Sequence, residues 1–160
     1  MACRTWLLVV THLLLLATAH AQNSTCSGSL MTLSIIAAEP GPVSAVYPPH
    51  VMVPGMPPLD FSHMLDPKIT ATHSFADAPD LDILLVPGGM GNMALDQAND
   101  TSVEDFVAQR YPELENLLSV CTGAASLAKS GVLKGKRATT NKAQWGWVTS
   151  HMDELWGGLW

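Results

Sequence analysis

The residue best equipped for covalent chemistry is Cys121, in the run Ser119-Val120-Cys121-Thr122-Gly123-Ala124-Ala125. Leu117 to Val120 reads as a short strand, and the small residues that follow predict a helix over 122–130 closed by Gly131. A cysteine at such a strand-to-helix elbow is held up at the carboxyl end of a sheet, where ligands bind in open α/β folds. The free N–H groups of a helix start favour a thiolate there. Gly123 and Ala124 leave room for a substrate to approach the backbone. The competing explanation is a small buried cysteine at a strand end, where free cysteines commonly sit. A second turn lies upstream, where Asp82–Pro87 ends in Gly88-Gly89, a pair that lets the backbone turn sharply and expose its N–H groups.

The elements that must position these turns alternate. Leu30–Ala38 is apolar and β-branched enough for a buried strand, stopped by Glu39-Pro40-Gly41-Pro42. Val43–Pro67 holds most of the prolines and argues against regular structure. Lys68–Phe75 fits a short strand. Its His73 is expected to pack or hydrogen-bond, since no second ligand stands at metal spacing, so no metal or other cofactor is expected. Asp82–Pro87 (DILLVP) is the clearest strand, apolar on both faces as in a parallel sheet. Thr101-Ser102-Val103-Glu104 has the form of a capping box, opening a helix that ends before Pro112. Arg137–Thr140 fits one more strand, with Asn141 capping a helix that carries Trp145 and Trp147. Strands alternating with helices imply an α/β fold with a mainly parallel sheet.

The chain has 160 residues, which suits one domain. Its start has the form of a secretory leader. Arg4 is followed by an apolar run from Trp6 to Ala17, and Ala19-His20-Ala21 offers a cleavage site before Gln22. The expected organisation is therefore a signal peptide over 1–21 and a single domain over 22–160, with the mature protein secreted. The apolar run is shorter than the roughly 20 residues of a stable membrane span. Two sequons, at Asn23 and Asn99, fit glycosylation on that route. Only Cys26 and Cys121 would remain after cleavage, and nothing in the spacing brings them together as a disulfide. With 14 acidic against eight basic residues, the balance excludes nucleic acid as an expected partner. Lys129, Lys134, Lys136, Arg137 and Lys142 read as a solvated face.

Three runs together carry a family resemblance: VPGG at Val86–Gly89, SVCTGA at Ser119–Ala124, and LAKSGVLKGKRATT at Leu127–Thr140. They resemble the ThiJ/PfpI family, of the class I glutamine amidotransferase-like fold, from about Leu30 to about Ser150. The resemblance is to the isonitrile hydratase-like branch, because Thr122 rather than a histidine follows the cysteine. It implies a flavodoxin-like three-layer αβα sandwich and disfavours peptidase activity. It also implies roles. Cys121 would be the nucleophile, with Thr122 beside it in the catalytic pair, its hydroxyl free to bond substrate. Gly88, Gly89, Thr122 and Gly123 would form the oxyanion and substrate-binding turns, with the Gly89 and Thr122 backbone N–H groups facing developing negative charge.

The chain departs from the family in three places. Relatives carry an Asp or Glu after their first strand, beside the cysteine, as general acid/base. Here the first acidic residue is Glu39, after the segment that resembles the second strand. Beyond Ser150, where relatives continue through a strand and a helix, the sequence from His151 to Trp160 matches neither, and Trp147, Trp156 and Trp160 would either pack over an exposed sheet or leave an apolar patch. Asn141 stands where many relatives have His. An incomplete sandwich, truncated at both ends, is therefore expected. Asp60, His63 and Asp66 are the available substitutes for the acid. Three functions follow: a hydratase or lyase acting through Cys121 on a small electrophile such as an isonitrile or reactive carbonyl; a catalytically impaired scaffold with a redox-responsive thiol; or a truncated gene product with no function of its own. Homodimerisation stays open.

Overall fold

The computed structural model describes residues 32–44, 65 and 67–152, with the backbone of Val9–Val10 and Leu15–Leu16. Ile83–Val86 buries three of its four residues, as an all-apolar strand in a parallel sheet requires. We number the elements from the N-terminus: strands β1 (Val9–Val10), β2 (Leu15–Leu16), β3 (Ile36–Ala37), β4 (Gly41–Ser44), β5 (Lys68–Ala71), β6 (His73–Ser74) and β7 (Ile83–Val86). Helices α1 (Met90–Ala98) and α2 (Ser102–Arg110) follow, then a 3₁₀ turn (Tyr111–Glu113) and β8 (Asn116–Ser119). Helices α3 (Gly123–Lys129) and α4 (Trp145–Thr149) close the described chain.

The β7–α1–α2–β8 unit is a parallel crossover, with Ile83 opposite Asn116 and Val86 opposite Ser119. Its two strands therefore end together, which puts Pro87-Gly88-Gly89 beside Val120-Cys121-Thr122. A second parallel pair joins β3 to β6, with Ile36 opposite His73. β2 pairs with β3 antiparallel and β1 pairs with β2, so these two short strands of the segment read as a leader join the sheet in the uncleaved chain.

The main core packs Ile36, Leu81, Leu84, Val86, Val103, Phe106, Val107 and Leu127 together, with smaller clusters of Ala37, Val43 and Ala71 and of Ala124, Ala125 and Val148. α2 contributes through Val103, Phe106 and Val107, at the three- and four-residue spacing that lines one helix face. Phe106 packs on Phe75 with ring centroids 5.0 Å apart. The Arg110 guanidinium lies 5.8 Å from the Phe106 ring and donates to the carbonyls of Ala78 and Pro79, fixing the loop that enters β7.

Several expected elements differ. Lys68–Phe75 is not one strand: at Thr72 the chain changes partner, β5 pairing antiparallel with β4 and β6 parallel with β3. The Thr72 hydroxyl spans this break, accepting from Ile35 N–H at 2.8 Å and donating to its carbonyl at 3.0 Å. Regular structure also reaches into the proline-rich stretch, because β4 includes Pro42, Val43 and Ser44. A two-stranded hairpin tolerates a proline whose missing N–H faces outward. Helix α1 was not legible. Gly89 precedes it without any side-chain cap, so the usual start signal is missing, and Asn99 ends it in the left-handed region at φ 53°.

The capping box does not form. α2 begins as expected, but Thr101 Oγ1 donates to Asp105 Oδ2 at 2.9 Å, and Asp100 Oδ1 accepts from Ser102 N–H at 2.9 Å. Glu104 turns inward instead, only 5% exposed. Residues 137–140 form no strand, because Thr140 is used at the elbow. Lys129 is likewise drawn from the expected solvated face into an ion pair. Asp60, His63, Asp66, Asn23, Cys26, Trp156 and Trp160 lie outside the described residues.

Candidate functional site

Val120 and Cys121 join β8 to Thr122, and the Cys121 backbone is left-handed at φ 54°. Non-glycine residues avoid this region because Cβ crowds the carbonyl, at a cost of roughly 1–2 kcal/mol. Such strain gathers where a side chain must be presented rather than packed. Cys121 is accordingly exposed and its thiol is free, so the buried-cysteine alternative fails. The turn is held by Gly123 N–H donating to Val120 carbonyl at 2.9 Å, and by Thr140 Oγ1 donating to Cys121 carbonyl at 2.9 Å.

The two glycine positions are required by packing. A Cβ on Gly88 would stand 2.7 Å from both Cys121 Cβ and Thr122 Oγ1. One on Gly123 would stand 2.7 Å from the Pro87 carbonyl oxygen and nearer still to that of Val86. Gly123 is buried, so its small size lets α3 seat against the end of β7; it does not open a path for substrate.

Thr122 also differs in detail from its expected part. It is only 6% exposed, and its Oγ1 accepts from Gly89 N–H at 2.8 Å while lying 3.2 Å from the Gly89 carbonyl. The hydroxyl that was expected to meet substrate, and the Gly89 N–H expected to meet an oxyanion, thus satisfy each other. Below them runs a buried polar chain that the sequence did not reveal. Thr122 Oγ1 lies 3.4 Å from Asn92 Oδ1, and Asn92 Nδ2 donates to Ser126 Oγ at 3.0 Å. Asn92 is one polar residue inside α1, a helix that carries no readable start. Thr122 therefore positions the elbow, coupling the start of α3 to α1.

Among the described residues one side chain hydrogen-bonds to the sulphur, that of Asn141, read from the sequence as a helix cap and a departure from the family: its Nδ2 lies 2.6 Å from Cys121 Sγ. Its partner oxygen, Oδ1, accepts from Gln144 N–H at 2.7 Å ahead of α4. Asn141 was expected to cap this helix, but the cap position is Gln144, and Asn141 instead holds the turn before it while its amide reaches the thiol.

Behind the elbow, three helices are tied by charge. Lys129 Nζ lies 2.9 Å from Asp96 Oδ1 and 3.5 Å from Glu104 Oε1, linking α3 to α1 and α2. Asp96 also receives Trp147 Nε1 at 3.3 Å and lies 3.6 Å from His151 Nε2. Burial pushes the Asp96 carboxyl up, but the Lys129 hydrogen bond and charge outweigh it and hold the carboxyl below its ordinary value. Burial pulls the Lys129 ammonium down, and its two carboxylates more than reverse that, so it is raised. The signs fix the pH window. A depressed carboxyl adds stability above its ordinary value of about 4 and loses it as pH falls through the folded value. Urea unfolding at a series of pH values should show stability falling as pH drops below about 4, with Asp96→Asn flattening that slope. An unchanged slope would remove Asp96 from the account.

Comparison with known proteins bears on this site directly. Residues 44–152 match the DJ-1/PfpI family, the family whose motifs flank Cys121. Over 94 residues the chain is 38% identical to an isonitrile hydratase of Pseudomonas putida. The match covers 59% of this chain and 40% of that relative's length.

Proposed function

The chain belongs to the DJ-1/PfpI family, with its flavodoxin-like α/β fold, and on that premise we propose that it is a hydratase-type enzyme using Cys121 on a small electrophile. The observation that carries this reading is the strained, exposed Cys121 at φ 54°, tied to its surroundings on both sides. The similarity to an isonitrile hydratase makes an isonitrile the first substrate to try.

The chemistry balances with water alone. The Cys121 thiolate adds to the terminal carbon of the isonitrile, water protonates that carbon, and hydroxide is left behind. A second water adds across the resulting C=N bond of the thioimidate. Collapse of that adduct breaks the C–S bond, returns the thiolate and releases an N-substituted formamide, the hydroxyl proton passing to hydroxide. Positioning of the thiol and exclusion of competing groups are the protein's contributions. Peptidase action is a poor fit, since the residue after the nucleophile is a buried threonine that cannot serve as a base.

A second reading has its own support. The side chain on the sulphur is an amide, which donates a hydrogen bond but carries no proton for acid/base work. That suits a protein whose thiol captures electrophiles once. The two readings separate on incubating the purified protein with an alkyl isonitrile and following formamide and intact mass together. Many formamides per Cys121 are expected. One adduct per chain without release would reject the hydratase and favour the thiol trap.

We also propose that the mature protein is secreted. The leader-like start supports this, as does Asn99, exposed at the left-handed end of α1 where a glycan has room. Cleavage before Gln22 would remove β2, the antiparallel neighbour of β3, together with β1, which pairs with β2. Expression in a eukaryotic secretory host should give medium-borne protein starting at Gln22, with a glycan mass lost in Asn99→Gln. Retention in the cell with Met1 intact would reject the proposal.

A further inference from the structure

We infer that Asn141 is a catalytic residue of this site: a pre-oriented, non-titrating N–H donor to the Cys121 sulphur. The inference rests on Cys121 being the reactive thiol, and it adds the group that manages charge on that thiol.

The geometry decides which end of the amide faces the sulphur. A backbone N–H can only donate, so the Asn141 atom 2.7 Å from Gln144 N must be the carbonyl oxygen. That assignment leaves the amide nitrogen 2.6 Å from Cys121 Sγ. The donor is therefore fixed from behind by the turn that opens α4, and its direction does not depend on the sulphur. The neighbouring Thr140 holds the Cys121 carbonyl, so one short segment grips both the backbone and the side chain of the nucleophile.

A donor on sulphur matters most when the sulphur bears charge, because a hydrogen bond to an ion is roughly twice as strong as one between neutral groups. In the proposed reaction the sulphur bears charge twice, as the attacking thiolate and again as the thiolate that leaves when the C–S bond breaks. Between those points it is a neutral thioether sulphur and a weak acceptor. The same N–H therefore favours both ends of the covalent cycle over its middle. An amide does this without gaining or losing a proton, unlike the histidine that many relatives have at this position.

Asn141→Asp keeps the oxygen that accepts from Gln144 N–H but replaces the donor with a charged oxygen, so the neutral Asn141→Leu is measured beside it and the loss must appear in both. The measurement is the second-order rate of Cys121 alkylation by iodoacetamide at pH 7, read by mass, with alkylation in urea as the unfolded baseline. Folded Asn141→Asp should react at least about tenfold more slowly than the wild type, with its urea baseline unchanged. A purely structural Asn141, needed only for the turn before α4, predicts the wild-type rate in folded Asn141→Leu, and that result would overturn the inference. If Asn141→Asp does not fold, Asn141→Leu is judged by the same tenfold criterion. Alkylation uses no isonitrile, so a failure of hydratase turnover leaves this result standing.

Discussion

Cys121→Ser should lower isonitrile turnover at least about 10³-fold while leaving the melting temperature close to that of the wild type. Serine keeps the shape and the left-handed backbone, so the fold feels little change. Its hydroxyl is far less ionised than a thiol and is a poorer leaving group from the adduct, so both halves of the cycle slow. Cys121→Gly sharpens the test. Glycine adopts φ 54° without steric cost, so this variant should be inactive yet more stable than the wild type by roughly 1–2 kcal/mol. Higher stability with no activity would mean that strain is kept for presentation of the thiol. If Cys121→Ser turned over at the wild-type rate, the assignment of the nucleophile would be wrong.

Lys129→Met should be the most damaging single change away from the elbow. The Lys129 side chain is 17% exposed and the Glu104 side chain 6%, so the substitution strands a buried carboxylate beside Asp96. Glu104 Oε2 already has no hydrogen-bond partner among the described residues, which leaves nothing local to take over. Removing one partner of a buried pair costs on the order of 3–5 kcal/mol, whereas replacing both with apolar groups is often neutral. Lys129→Met should thus lower the melting temperature by roughly 10 °C. The double variant Lys129→Met/Glu104→Leu should recover most of that loss. Equal losses in the single and double variants would show that the damage comes from lost packing of the lysine stem.

The two changes probe one construction from opposite sides. Cys121 stands just before α3 and Lys129 at its end, so one seven-residue helix leads from the reactive group to the ion pair that anchors it. A helix this short is marginal alone. It is held by Gly123 against the β7 end, by Leu127 in the core, and by Lys129 on its two neighbouring helices.

Much of this was legible in the residues themselves. The all-apolar run at 83–86 can only be a buried strand, and the step from Val120 into small residues can only be a tight junction, so the parallel unit and the cysteine elbow follow from local chemistry. The leader-like start, the sequons and the acidic balance are equally local. Tertiary structure decided what each polar side chain does. Thr122 and Gly89 were read as facing a substrate and face each other, because both lie under the elbow once β7 and β8 end together. Glu104 was read as closing a capping box and instead meets Lys129, 25 positions away in the chain, because burying its helix face carries it inward. Asn141 reaches the sulphur only because residues 137–144 fold back over the elbow in place of forming a strand. Hydrophobic pattern and turn chemistry act over a few residues and can be read in order. The partners of hydrogen-bonding and charged groups are set by which segments the core brings together, and no local spacing encodes that.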